Sequence, residues 1–168
     1  QQVRVRDQVI YDAKERLLQK PALDRLALAP PPPRPVQEVT VHLLTPLRLK
    51  FRNTLRAELP FHVLIRGVLR RLAALNQHFG EGEPPLDYRG LVARAEAVKI
   101  AAAELRWHDW RRYSNRQDQA MLMGGITGWV TYRGDLSEFL PLLDYAALVH
   151  VGKATTFGLG QINLQFPN

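Results

Sequence analysis

The stretch Val149-His150-Val151-Gly152-Lys153-Ala154-Thr155-Thr156-Phe157-Gly158-Leu159-Gly160-Gln161-Ile162-Asn163-Leu164 joins an apolar helical segment to an alternating strand. Glycine adopts positive φ and leaves the backbone bare, so N–H groups in such a loop can approach a phosphate. Lys153 adds a mobile positive charge. Two nucleotide-loop readings fail on element order. A Walker loop needs G-x-x-x-x-G-K-[ST] between a strand and a helix, but Ala154 follows Lys153 and a strand follows the loop. A dinucleotide fingerprint opens a helix, whereas Gly158-Leu159-Gly160 opens a strand. What remains is a glycine-rich loop leading into a final strand over Gln161–Phe166.

Working back from that loop, Phe139, Leu140, Leu143 and Ala147 share one face of a helix over Leu136–Leu148, started after Asp135. Pro141 kinks this helix or shifts its start. Met121–Tyr132 reads as a strand broken at Gly124-Gly125 by a bulge or kink. Glu104–Tyr113 has strand character, and Ser114-Asn115-Arg116-Gln117 reads as the turn between the two. Asp87 can cap a helix through Leu91, Val92, Ala95 and Val98. Before it, Phe61, Leu64, Ile65, Val68, Leu72, Leu75 and Phe79 form one apolar stripe over Leu59–Phe79, with Pro60 suited to the first helical position and Gly80 to the C′ position.

Val36–Phe51 alternates as an extended segment, with Pro46 predicting a bulge or an edge position. The two-residue period puts Arg48, Lys50 and Arg52 on one face, which must be wet or bound to an anion because three cations are costly to bury. Residues 1–20 show Val9, Ala13 and Leu17 at i, i+4 spacing and are predicted as a short helix. The run Ala29-Pro30-Pro31-Pro32-Pro33-Arg34-Pro35 favours extended polyproline geometry and reads as a stiff linker. The expected division is an extension over 1–35 and a domain over 36–168. In that domain the order strand, helix, helix, strand, strand, helix, strand reduces to βαββαβ. This is the ferredoxin-like α+β pattern, an antiparallel sheet with helices on one face. Fold alone does not assign activity, but RNA-recognition domains of this topology stack bases on the open sheet face.

Composition narrows the partners. The 168 residues are 46% apolar and 23% charged, values of an ordinary globular domain. There are no cysteines, which removes disulfides and thiolate metal sites and fits a reducing cytoplasm. No apolar run reaches membrane-spanning length. The net charge of +7 favours an acidic partner, nucleic acid first. Much of the excess is local: Arg48, Lys50, Arg52, Arg56, Arg66, Arg70 and Arg71 stand against the single acid Glu58.

A βαββαβ order whose last helix and strand are joined by G-K-x-x-x-F-G-x-G resembles the repeat-associated (RAMP) superfamily of CRISPR proteins. The resemblance sharpens with Arg112-Tyr113-Ser114-Asn115-Arg116-Gln117, with Gly124-Gly125-Ile126-Thr127-Gly128 and with Leu44-Thr45-Pro46-Leu47-Arg48. Together these are similar to the C-terminal domain of CRISPR precursor-RNA processing endoribonucleases, over roughly Val39 to Phe166. That resemblance implies binding of the repeat transcript, other CRISPR-associated proteins as partners, no cofactor, and metal-independent cleavage. In such cleavage the 2′-hydroxyl attacks the adjacent phosphate and leaves a 2′,3′-cyclic phosphate. The family normally carries two tandem ferredoxin-like domains, often with the catalytic histidine in the first. The expectation is therefore that residues 1–35 are a remnant of an upstream domain and that the catalytic half lies outside this sequence. The alternative is a non-catalytic RNA-binding subunit of a CRISPR effector complex, and a second is a ferredoxin-like interaction module with an incidental basic surface.

Among single residues, His42 is the candidate general base, set against a solvent-facing strand histidine. His62 and His78 sit at helix ends, His108 between two tryptophans, and His150 beside the glycine loop. No two histidines are paired at i, i+4, so no zinc site is expected. The RNA-contact set is Arg48, Lys50, Arg52, Arg66, Arg70, Arg112, Tyr113, Arg116, Gly152, Lys153, Gly158 and Gly160. Lys153 is the foremost phosphate contact. Arg112, Tyr113 and Arg116 read equally as phosphate holders with a stacking ring or as an ordinary hairpin with a core tyrosine. Phe157 is expected to anchor the loop in the core.

Overall fold

The N-terminal segment is strand rather than helix. Val3, Val5, Val9, Ile10 and Tyr11 are β-branched or aromatic and favour extended backbone over the helix suggested by spacing. Strands β1 (Gln2–Val5), β2 (Gln8–Asp12) and β3 (Leu17–Leu18) form an antiparallel sheet in that order. The buried Asp12 carboxylate closes the β2–β3 turn: it accepts the N–H of Lys14 at 2.8 Å and the side-chain amide of Gln2 at 2.6 Å. This computed structural model describes residues 2–5, 8–20, 26–49, 57–114 and 118–167.

After the proline run, Val36 docks onto a later connection. Its N–H donates to Ser137 Oγ at 3.1 Å and its carbonyl accepts from Leu136 N at 2.9 Å. The elements that follow are β4 (Glu38–Leu47), α1 (Phe61–Phe79), α2 (Tyr88–Ala95), β5 (Lys99–His108), β6 (Arg111–Ser114), β7 (Gln119–Leu122), β8 (Gly125–Arg133), α3 (Leu140–Val149) and β9 (Ile162–Gln165). β5, β8, β4 and β9 make one sheet in that order, antiparallel throughout. This is the ferredoxin-like arrangement expected from the element order. The helices cover one face: Val39, Val41, Leu43, Val130 and Tyr132 are buried beneath them with Leu64, Ile65, Val68 and Leu143. Phe61 sits at the centre, edge-on to Tyr132 at 4.8 Å and to Phe139 at 5.1 Å. The Tyr132 hydroxyl, fully buried, donates to Leu59 O at 2.6 Å.

Several boundaries differ from the sequence reading for local reasons. Pro60 is the N-cap of α1 rather than its first residue, and Gly80 ends it with φ −113°, an extended conformation any residue adopts. Asp87 caps α2 by accepting Gly90 N–H at 2.8 Å, and α2 stops at Ala95, before Val98. Pro141 sets the start of α3: a 3-10 turn over Ser137–Phe139 precedes it, and the proline falls in the first helical turn, where its missing N–H costs nothing. Pro46 produces a bulge in a central strand, not an edge, with the register of β4 on β8 slipping between Leu43 and Leu47. The long hairpin expected over 104–132 is divided. β5 and β8 form the sheet body, and β6 and β7 extend beyond it as a two-stranded arm. At the junction a Cβ on Gly124 would lie 1.9 Å from Asp109 Oδ1 and 3.0 Å from His108 O, so a larger residue there requires the Asp109 side chain to move.

Candidate nucleic-acid interface

The helix-side end of β4 meets α1 and the glycine loop at a cleft of about 290 Å³. Five cations line it: Arg48 just after β4, Arg66, Arg70 and Arg71 on α1, and Lys153 in the loop. No carboxylate is among the described residues that line it. Arg66 and Arg70 are four apart, so both project from one helix face. The floor is apolar, made by Leu49, Val63 and Ala74. Gly67 permits the close approach: a Cβ there would lie 2.9 Å from the Leu49 side chain and 3.2 Å from Val151.

Hydrogen bonds bind the glycine loop to β4 and α1. Lys153 N donates to Arg48 O at 3.1 Å, Gly160 N to Pro46 O at 3.1 Å, and Val151 N to Gly160 O at 2.9 Å. Thr45 stitches the β4 bulge to the far side of the loop, its hydroxyl donating to Gly158 O at 2.8 Å and accepting Gln161 N–H at 2.9 Å. Arg71 Nε reaches Val149 O at 3.2 Å, tying α1 to the end of α3. The N–H groups of Val151, Lys153, Gly158 and Gly160 are bonded within the protein, and the glycines at 152, 158 and 160 all hold positive φ. Their φ values are +90°, +82° and +76°, and a Cβ on Gly160 would fall 1.8 Å from Val151 O. Two non-glycine residues of the same loop, His150 and Ala154, also have positive φ, at 60° and 62°. What the loop offers a ligand is the exposed side chain of Lys153.

Other candidates lie apart from the cleft. His42 is on the sheet face opposite the helices, cross-strand from Trp129 on β8 and Asn163 on β9, and its Nε2–H donates to Gln165 Oε1 at 2.9 Å. It lines a second pocket, of about 270 Å³, with Trp129, Gln165 and Phe166. The six residues from His42 to Arg48 place it up to about 20 Å from the cleft. Arg112 belongs to β6 of the arm. Tyr113 is 59% exposed, not core, and its hydroxyl donates to the Asp118 carboxylate, which holds the phenol above its usual pKa. Phe157 is half exposed; Leu159, 3% exposed, is the residue that anchors the loop. His150 Nδ1–H donates to Leu159 O at 3.1 Å, a structural use. His108 ends β5, exposed, and His78 lies in the last turn of α1 beside Phe79. Lys50, Arg52 and Arg116 fall outside the described residues, and β4 ends at Leu47, before the row of cations expected on it. Among the described residues no group of three His, Asp or Glu could hold a metal ion.

Arg71 and Trp129 were not singled out by the sequence reading. Arg71 was visible only as excess charge; Trp129 had a signal, its alternation with Thr127 and Thr131, opposite in phase to the core residues Val130 and Tyr132.

The model of the CRISPR-associated endoribonuclease Cas6 family matches residues 41–162, a span that holds most of β4, the α1 face of the cleft, the arm and the glycine loop. The chain belongs to the Cas6 family. Solved structures agree on the fold. A Cas6 product complex matches at 18% identity and a TM-score of 0.57, over 78% of this chain and 52% of the other. Thermus thermophilus Cas6 matches at 19% and 0.56, over 79% and 55%. A Cas6-RT-Cas1–Cas2 complex matches at 17% and 0.57, over 80% of this chain and 14% of that one. The chain thus spans about half the length of the Cas6 proteins it resembles. No curated protein matches it in sequence. Among the described residues no helix is long and apolar enough to cross a membrane.

Proposed function

We propose that this chain is the RNA-holding part of a Cas6 endoribonuclease that processes CRISPR repeat transcripts, and that the five-cation cleft grips the RNA backbone. The observation that supports it is the convergence of Arg48, Arg66, Arg70, Arg71 and Lys153, from three separate chain segments. Like charges gathered this way repel one another and are relieved by a polyanion. Arginine forks suit phosphate oxygens, and an apolar floor strengthens each contact by excluding water. In the arm, Tyr113 supplies an exposed ring and Arg112 a second cation, a further backbone contact. Residues 36–168 are proposed as the unit that carries these contacts, with 1–35 as its extension.

The reaction proposed for the whole protein is attack of the 2′-hydroxyl oxygen on the neighbouring phosphorus. The O2′–P bond forms as the P–O5′ bond breaks, giving a 2′,3′-cyclic phosphate and a 5′-hydroxyl. One group takes the 2′ proton, another supplies the proton to O5′, and cations stabilise the extra phosphate charge. The cleft supplies the last of these; no histidine is among the described residues that line it, and His42 lies on the other sheet face. That placement favours a second reading of this chain by itself, an RNA-binding module that cuts only with a partner domain, in company with other CRISPR-associated proteins.

Repeat RNA binding across a salt series tests the first claim. Affinity should fall steeply, by close to one logarithmic unit per decade of salt for each phosphate contact. Binding no stronger than that of an unrelated acidic polymer overturns it. Incubation of repeat RNA in EDTA, with end-group analysis for the cyclic phosphate, tests the chemistry. A product with a 3′-hydroxyl would refute the cyclic-phosphate route.

A further inference from the structure

The uncovered sheet face has a chemistry unlike that of the cleft. Across four adjacent strands at one level stand Asn163 on β9, His42 on β4, Trp129 on β8 and Glu104 on β5. Neighbouring strands are about 4.8 Å apart, so these side chains form a continuous row. At the level beside it the β5 residue is Ala102, opposite Thr131. Phe166, 42% exposed, closes the other side of the pocket.

Polar groups on this face are arranged to read a ligand edge. His42 donates its Nε2–H to Gln165 Oε1; in the neutral ring Nδ1 is then an acceptor, and the Gln165 amide NH2 is a donor. Thr40 and Thr131 hydroxyls are engaged with each other at 2.7 Å. On the same face Arg133 is held by Glu38 at 2.6 Å, and Arg106 follows Glu104 by two residues along β5. Rings with a donor and an acceptor nearby, beside the carboxylates of Glu38 and Glu104, do not suit a phosphate. They suit a planar heterocycle with donors and acceptors on its rim. An amphipathic partner helix would need an apolar stripe, and this face presents Thr, His, Asn and Gln instead.

We infer that this pocket binds one unpaired nucleobase of the RNA, stacked on Trp129 and read along its edge by His42 and Gln165. The inference rests on the RNA-binding reading above and extends it. The cleft holds the sugar–phosphate chain on one side of the molecule, and the sheet face selects a single-stranded flank on the other. It also assigns His42 to recognition.

The test compares a short unpaired oligoribonucleotide with the same oligomer made abasic, on the full chain. The base-bearing oligomer should bind roughly tenfold tighter, the usual scale of one base–aromatic stack. Trp129→Ala should erase that difference while leaving abasic binding and its salt slope unchanged, and Trp129→Phe should retain most of it. Gln165→Ala, an exposed change, should alter which base is preferred, and it keeps the test decisive should Trp129→Ala fail to fold. An undiminished base-dependent increment in folded Trp129→Ala, or an unchanged base preference in Gln165→Ala, overturns the sheet-face site and leaves the cleft intact. Abasic binding with no salt dependence overturns the cleft reading instead.

Discussion

Residues 38–43 and residues 44–48 belong to one run of chain and are built on different rules. The first part is regular. It pairs with β8 and β9 residue for residue, buries Val39, Val41 and Leu43, and turns Thr40 and His42 outward. The second part abandons the ladder. Leu44 N and Thr45 N both reach Gln161 O, the Thr45 side chain bonds the glycine loop twice, and Pro46 and Arg48 lend it their carbonyls. Regular pairing displays side chains at fixed spacing, which suits reading a base. Irregular pairing lets three segments converge, which suits clustering charge.

The sharpest way to break this contrast is to deny the loop its backbone conformation. Gly160→Val places a Cβ where Val151 O already sits, at φ +76°. Urea denaturation should show a loss of about 3 kcal/mol or more. Gly158→Ala has a similar φ of +82° but meets nothing within 4 Å, so it should cost only about 1 kcal/mol. Equal losses would mean that steric contact with Val151 does not shape the loop.

Removing charge should leave the fold alone. Arg66→Ala with Arg70→Ala, on the cleft side of α1, should weaken repeat RNA binding roughly a hundredfold at low salt. It should also flatten the salt slope by about two units. An unchanged slope would remove the cleft from the RNA path. Thr45→Val tests the stitching itself. It deletes the hydroxyl shared by Gly158 O and Gln161 N, and thermal unfolding should register about 1–2 kcal/mol.

The smallest effect expected is at the far end of the molecule, where Asp87 caps α2 and meets Arg94 at 3.2 Å. The Gly90 N–H bond, and Arg94 after it, hold the Asp87 carboxyl below its ordinary value of 3.8. Its folded pKa lies below the unfolded one, so its contribution is complete above 3.8 and is lost as pH falls through the folded value. Asp87→Asn keeps a capping side chain but should flatten that acid limb, measured as the unfolding midpoint against pH. RNA affinity near neutral pH should not change.

The element order was legible from periodicity because burial on one face imposes a period of two on strands and 3.6 on helices. The same argument failed at residues 1–20, where a few apolar positions at i, i+4 also fit strands, and the Asp12 turn decided between them. The β6–β7 arm was hidden within one apparent hairpin, because nothing in alternation marks where a hairpin leaves its sheet. Among site residues, Lys153, Arg66 and Arg70 were legible as cations near glycine or off an apolar stripe. Their convergence was not. It depends on Gly67 and Gly152 admitting neighbours that no local pattern names.

By itself the sequence determined the excess positive charge, the βαββαβ order and the positions that require glycine, since charge, hydrophobic period and missing side chains are local properties. Only the tertiary structure decided which cations share a cleft, that His42 stands beside Trp129 on the opposite face, and that Lys153 and Gly160 donate their N–H groups to Arg48 and Pro46. Those facts depend on register and on a bulge, where two extra residues redirect every side chain and carbonyl that follows.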